Sequence, residues 1–423
     1  MHESRHPSES AALAQDALTY SVICMSCKSL ANAETHQTKC LVCGGDLGFC
    51  YTDPSNERPS TTKSMWKYFR ALPVGRESAI VSLDEGNTPL LKTRIYGGYE
   101  VLLKNETVNP TGSHKDRAIS IGITKAVEFG FDTCMLYSDG SAALSSAAYA
   151  ARAGIRNITL APAGTPDSRL LPLMIYDSII LEYQGNGAEA LSWVHAACRS
   201  LGIYETTTYR RANPYESEGP KTISFEIAED LGGVPDWVVV PVGGGGTVSG
   251  IWRGFVELKH RGVTSELPRM VGVLPAGYRL LELGMQQSAT TDDDLRQLAK
   301  FDVPDSAQAK IAMSFPPDGL EAIAAIRDSG GLFLYASDAE ALAAQQRLGA
   351  REGIYAEISA AAPLVAVDQL IEKGLIQKSQ RTVAVISGSG FRETGELGRS
   401  LAVRKTAIHE TTGIAELKKV LEL

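Results

Sequence analysis

From about residue 84 onward the chain alternates short apolar runs with stretches of helical periodicity, and this alternation restricts the fold more than any other feature. The runs at 100–104 (EVLLK), 133–137 (TCMLY), 158–161 (ITLA), 179–183 (IILEY), 237–242 (WVVVPV) and 382–386 (TVAVI) are dense in aliphatic residues. Strands buried on both faces read this way. Helical spacing fills the intervals, as at 142–152 and at 188–200, where Gly202 supplies a stop. Strand and helix in turn predict an α/β protein whose mostly parallel sheets are covered on both faces. Ligands of such sheets bind beyond the carboxyl ends of the strands. The glycine-rich segments of this chain fall there.

At 423 residues the chain is too long for one small core and calls for two or three domains. Its net charge of −8 argues against the basic field that nucleic acid or acidic lipid would require. No apolar run approaches the roughly 20 residues that cross a bilayer. Residues 1–16 are polar and lack the apolar core of a secretory signal, so 1–19 reads as a disordered tail. Residues 54–62 (PSNERPSTT) have linker composition, and 65–72 carry apolar groups at helical spacing. Cys50, Cys134 and Cys198 are scattered, which fits a cytoplasmic protein better than a secreted disulfide scaffold.

The other four cysteines are grouped. Cys24-Met25-Ser26-Cys27 and Cys40-Leu41-Val42-Cys43 form two C-x-x-C pairs twelve residues apart. Each turn aims two thiolates at one point, and two turns complete a tetrahedral shell for Zn²⁺. With four Cys ligands no position is open to substrate, so the metal would be structural, holding a zinc-ribbon-like segment at 20–55. Incidental surface thiols or a redox disulfide are the competing readings. Binding of nucleic acid or a partner protein by such a ribbon is the weaker functional reading.

Asn109-Pro110-Thr111-Gly112-Ser113-His114-Lys115-Asp116-Arg117 follows a strand and opens a helical run, 118–129, closed by Gly130. A lysine buried at a helix entrance has a depressed pKa, which suits Schiff-base chemistry. Taken alone, Lys115 reads as an ordinary solvated first-turn residue. A second element changes that balance. Gly243-Gly244-Gly245-Gly246-Thr247 joins a strand to the helical run 248–258. Four glycines let backbone N–H groups close on an anion, and the helix N-terminus adds its positive end. The segment has neither the G-K-[ST] ending of a nucleotide loop nor G-x-G-x-x-G. A flexible turn is the alternative for it. A third loop, Ser387-Gly388-Ser389-Gly390, follows the last strand toward the same crevice.

At this point the chain resembles the fold-type II enzymes dependent on pyridoxal 5′-phosphate (PLP), and within them the threonine synthase branch. The matching motifs are EGNTPL at 85–90, NPTGSHKDR at 109–117 and AAYAARAG at 147–154. NPYESEGPKT at 213–222, the tetraglycine loop, EGIYAE at 352–357 and ISGSGF at 386–391 continue the series in order. The cysteine segment also resembles one found on many prokaryotic members of the branch. The resemblance implies two doubly wound domains of the tryptophan synthase β type. It places a large PLP domain at 56–120 and 216–423 and a small substrate-side domain at 121–215, in a homodimer acting on an amino acid. Lys115 then matches the Schiff-base lysine and proton carrier, 243–247 the phosphate cradle, and Ser387 the hydroxyl that faces the pyridine nitrogen. A neutral partner there leaves that nitrogen largely unprotonated.

The pattern breaks twice. The loop S-[S/T]-G-N-[T/H] of the family is Ser138-Asp139-Gly140-Ser141-Ala142 here. Ser141 replaces the Asn that touches the cofactor's 3′-hydroxyl. Asp139 stands where a hydroxyl residue helps bind the substrate carboxylate, together with Ser138 and Gly140. A second carboxylate costs energy there unless paired or protonated, so Asp139 suggests a changed substrate or a role as general base. Diaminopropionate ammonia-lyases carry Asp at a comparable position. The alternative has Asp139 turned away, paired with an amide or an arginine. The second break is Glu216, where threonine synthases usually carry an Arg that grips the substrate phosphate; Arg210 and Arg211 lie just upstream. His114, in place of Phe, reads as a local packing or hydrogen-bonding group. Two activities follow as expectations. One is a threonine-synthase-like lyase that eliminates phosphate from O-phosphohomoserine and adds water. The other is a PLP-dependent β-elimination or β-replacement enzyme acting on another amino acid.

Overall fold

The computed structural model describes residues 18–52, 63–299 and 304–392. The linker at 54–62, all but the last two residues of the expected tail, and the end of the chain from 393 lie outside them. The cysteine segment forms an antiparallel sheet of β1 (Tyr20–Cys24), β2 (Leu30–Ala31) and β3 (Leu47–Tyr51), ordered β2-β1-β3. Residues 65–72 are a 3₁₀ segment, Met65–Ala71, kinked at Tyr68, rather than a regular helix.

The main body begins with β4 (Leu90–Lys92) and β5 (Glu100–Asn105). The chain crosses to a second sheet through α1 (Lys115–Glu128), β6 (Thr133–Tyr137), α2 (Ser141–Ala153) and β7 (Arg156–Pro162). That sheet is completed by α3 (Asp167–Met174), β8 (Ile179–Tyr183), α4 (Gly187–Leu201) and β9 (Tyr204–Glu205). The return runs through α5 (Lys221–Leu231), β10 (Trp237–Pro241), α6 (Gly246–His260), β11 (Arg269–Pro275), α7 (Leu280–Gln286) and α8 (Asp292–Leu298). It ends with α9 (Gly319–Asp328), β12 (Leu332–Ala336), α10 (Asp338–Glu352), α11 (Ile358–Glu372) and β13 (Arg381–Ile386).

The larger sheet has the order β12-β11-β10-β13-β5-β4, parallel except for the edge strand β4. Its faces are both dry, as the continuous apolar runs require. Val101, Val239 and Val271 pack under α10 and α11, whereas Val238, Met270 and Val383 pack under α5, α6 and α9. Burying each such side chain contributes about 1.5–3 kcal/mol. The smaller sheet, β8-β7-β6-β9, is all parallel. Ile119, Ile123 and Tyr149 of α1 and α2 cover one face, and Val194 and Cys198 of α4 the other. The architecture is therefore α/β with two doubly wound sheets. The run at 179–183 departs from its reading as a buried strand: β8 is an edge, and Ile179 and Leu181 are exposed.

The strand order positions the site. β13 is inserted between β10 and β5, so the chain leaves β10 outward toward β11 while β13 returns beside β5. That reversal opens a crevice at the carboxyl ends of three adjacent strands. The loop after β5 carries the lysine, the loop after β10 the four glycines, and the loop after β13 Ser387.

Candidate active site and cysteine centre

Lys115 is the first residue of α1, and the loop before it is held rigidly. Its carboxyl neighbour Asp116 accepts the Thr111 amide N–H at 2.7 Å and is bonded by the Ser145 hydroxyl. The backbone N–H of His114 donates to the Ser387 carbonyl at 3.0 Å, and the Ser389 N–H donates to Gly112 O at 2.8 Å. The lysine loop and the loop after β13 are thus zipped together. His114 adds a second clamp. Its Nδ1 lies 3.0 Å from the Ser387 carbonyl and its Nε2 3.0 Å from the Thr247 hydroxyl. Burial pushes this imidazole down to about 4. In the neutral ring Nδ1–H donates to the carbonyl and Nε2 accepts from Thr247. His114 therefore ties the lysine loop to both others.

The Lys115 side chain is half-buried on the cavity, and its amine donates to the Thr208 hydroxyl at 2.9 Å. Burial lowers its pKa below the ordinary lysine range, outweighing the opposing pull of Asp318, Glu216 and Glu357. An amine that gives up its proton readily is a nucleophile and a base. It faces a cavity of about 260 Å³ whose lining includes Gly243–Thr247, Ser138–Ser141, Glu216 and Ser387. The sequence-predicted site residues around the lysine share this one space.

The glycine loop is shaped by what lies behind it. Gly245 caps α6 with φ at 97°, a conformation that side chains rarely adopt, and a Cβ there would meet the Asp318 carbonyl. A Cβ on Gly243 would sit 2.7 Å from Lys310 O. The loop is pressed against residues 310–318 on one side and leaves the α6 N-terminus to the cavity. Asp318 closes that wall. Its N–H donates to Gly244 O at 2.8 Å and its Oδ1 accepts the Arg210 N–H at 3.1 Å. Its Oδ2 is buried without a partner among the described residues, and burial pushes the carboxyl up to about 7.

Across the cavity, β6 leads into α2 through 138–140, so a second helix N-terminus faces the same space. The Ser138 hydroxyl accepts the Gly140 N–H at 3.1 Å. Asp139, which also lines the cavity, pairs with Arg169 of α3 at 2.8 Å. Lys310 approaches Gly140 from the opposite wall. Glu216 is fully buried, and burial raises its carboxyl well above the ordinary range.

Sequence reading passed over Thr208, Asp318 and Lys310. Thr208 ends a hydroxyl run, Thr206-Thr207-Thr208, just ahead of the NPY motif, and that run was the available signal. Asp318 and Lys310 carry no local pattern. Arg210, just upstream of Glu216, does not take the place of the missing phosphate-gripping arginine: its guanidinium lies outside the cavity lining, donating from Nε and Nη2 to Leu47 O at 3.3 and 3.2 Å. Arg211 pairs with Asp46 and Asp292.

The cysteine segment brings all four Sγ atoms of Cys24, Cys27, Cys40 and Cys43 within 4.8 Å of one another. The Cys27 N–H points at Cys24 Sγ at 3.4 Å, and the Val42 N–H at Cys40 Sγ at 3.3 Å. Amides aimed at sulfur favour thiolates, so the donor set suits a tetrahedral cation. The segment is docked on the main body. His36 packs among Phe129, Phe131 and Tyr204, Phe49 stacks near Tyr215, and Tyr51 donates to Glu218 at 2.9 Å.

Comparison with known proteins agrees with this geometry. A threonine synthase of Methanocaldococcus jannaschii is 34% identical over 364 residues, covering 83% of this chain and 88% of the relative. One of Synechocystis is 33% identical over 346 residues, covering 79% and 86%. Among solved structures, a threonine deaminase isoform of Solanum lycopersicum superposes with a TM-score of 0.64 at 18% identity, covering 79% of this chain and 92% of that one. An O-ureido-L-serine synthase superposes at 0.62 with 21% identity, covering 78% and 96%. These two likenesses establish the fold. The cavity also fits the cofactor implied, since a lysine amine and a glycine loop at a helix N-terminus line the same space. The model for pyridoxal-phosphate dependent enzymes matches residues 81–388, and the chain belongs to that family.

Proposed function

We propose that the protein is a threonine-synthase-like lyase that releases phosphate from O-phosphohomoserine and places water at Cβ. The observation that carries this reading is the convergence of Lys115, the tetraglycine loop and Ser387 on one cavity, in a chain matching threonine synthases over most of both lengths. In this reading Lys115 tethers PLP, 243–247 hold its phosphate, Ser387 faces the ring nitrogen and Ser141 the 3′-oxygen. The cofactor supplies an electron sink for the substrate's α-carbon. The Lys115 amine moves protons at Cα and Cβ, for which its lowered pKa prepares it. The α2 N-terminus, with the Ser138 hydroxyl as a side-chain donor, receives the substrate carboxylate. Asp139 does not oppose that anion, because Arg169 neutralises it. Lys310, on the cavity wall beside Gly140, offers positive charge to a phosphorylated substrate. Glu216 faces the substrate from the cavity wall.

The test is a panel of amino acids and their O-phospho derivatives given to the purified holoenzyme. O-phosphohomoserine should yield equimolar phosphate and threonine. Ammonia and a 2-oxo acid from another amino acid, with no phosphate from this ester, would sink the proposal in favour of the β-elimination reading.

The same proposal gives the cysteine centre a structural Zn²⁺, and the protein a cytoplasmic, homodimeric life. We expect about one zinc per chain in protein purified without chelator. Cys27→Ser should release the metal and lower the thermal midpoint, because closing the segment supplies folding energy that its small core lacks. Full metal content in that variant would exclude Cys27 as a ligand.

A further inference from the structure

Glu216 sits on a 3₁₀ turn between β9 and α5, and the structure makes room for it. A Cβ at position 122 of α1 would overlap its Oε1, so Gly122 leaves the carboxyl its place. Asn213 donates to that Oε1 at 3.1 Å. Its Oε2 is buried and has no partner among the described residues, in a residue that lines the same cavity as the glycine loop. A carboxyl with one oxygen fixed and the other reserved is arranged to act on something that arrives.

The reaction under the proposed function has a need that fits. Breaking the Cγ–O bond of a phosphate monoester dianion expels a strongly basic trianion unless a proton reaches the bridging oxygen as the bond breaks. We propose that Glu216 is the general acid that protonates the departing phosphate. The inference rests on the reading that a phosphate ester is the substrate. The Cγ–O electron pair leaves with phosphate, which takes the Glu216 proton. The Cβ–H pair becomes the Cβ–Cγ double bond, and that proton goes to the Lys115 amine. Water adding at Cβ later yields the proton that restores Glu216. Protons lost from Cα, Cβ and water equal those gained by phosphate, Cγ and Cα.

The surroundings keep the acid form available. Lys115 of α1 favours the carboxylate, while burial and Glu205 of β9 oppose it. Cys134 of β6 and Tyr204 of β9, both neutral, neighbour Glu216 on its protein side, and Asp318 and Lys310 line the cavity with it. An uncharged Glu216 also meets an incoming phosphate without the repulsion that a carboxylate would bring.

The experiment follows phosphate release from O-phosphohomoserine by the holoenzyme and by Glu216→Gln, with kcat measured across pH. The near-isosteric amide keeps the Asn213 contact and loses only the transferable proton. We expect kcat to fall about 10²-fold, with the cofactor's absorbance unchanged. In the parent, kcat should decline as rising pH strips the acid, and this alkaline limb should vanish in the variant. A parent that releases no phosphate overturns the substrate reading and this role together. A working parent beside a variant within about threefold of its kcat, one retaining the alkaline limb, or one that loses its cofactor, overturns the role of Glu216 alone.

Discussion

Lys115→Ala should abolish turnover, lowering kcat by at least about 10³-fold, because one amine is lost both as tether and as proton carrier. Borohydride reduction should fix the cofactor covalently to the parent chain, on the peptide bearing Lys115, and leave the variant unmodified. The glycine loop and Ser387 remain in the variant, so PLP should still bind, though released on dialysis. The fold should be undisturbed. Lys115 contributes one hydrogen bond, to Thr208, and its removal relieves a burial cost rather than creating one. A variant that retains covalent cofactor would show that another amine carries it, and Lys310, on the same cavity, would be the next to test.

Arg117→Met should have the largest effect on stability. This guanidinium is fully buried and makes paired bonds to two carboxylates. Nε and Nη2 reach Glu106 at 2.7 and 2.8 Å, and Nη1 and Nη2 reach Glu226 at 2.6 and 2.8 Å. Lys104 lies 2.8 Å from Glu226 and is equally buried. The cluster joins β5, α1 and α5, and the Glu226 carboxylate also accepts the N–H groups of Asn87 and Thr88. Removing the arginine leaves Glu106 without its cationic partner in a dry interior, at a cost of about 3–5 kcal/mol. The thermal midpoint should fall steeply, and cofactor affinity with it, since Lys115 lies two residues away. A midpoint unchanged in Arg117→Met would mean that water reaches the cluster.

Much of the fold was legible because it follows from periodicity. Runs such as 237–242 and 382–386 became central strands since only a doubly covered sheet consumes so many consecutive aliphatic residues. Gly202 ends α4 in the left-handed conformation, as its position after the helical spacing implies. The run at 179–183 misled for the same reason: an edge strand and a central one differ in their neighbours, which composition does not record. The site was legible where one segment carries its own chemistry, as at Lys115, 243–247 and the paired cysteines. It was illegible where meaning depends on a partner. Asp139 is read differently once Arg169, thirty residues on, neutralises it. Glu216 looks like an ordinary anion on paper, whereas burial raises its carboxyl well above the usual range. Nothing near Asp318 announces that it backs the glycine loop.

The contact between the cysteine segment and Arg210 bears on how this chain can be handled and how it can have diverged. Leu47 stands opposite Cys24 in the small sheet, its carbonyl takes the Arg210 guanidinium, the Arg210 amide holds Asp318, and Asp318 holds Gly244. Trimming the chain to its catalytic portion would strand a buried cation and loosen the wall behind the cofactor seat. The amino-terminal module is thus no detachable cassette: a lineage discarding it would first need a new acceptor for that arginine, or a different residue in its place.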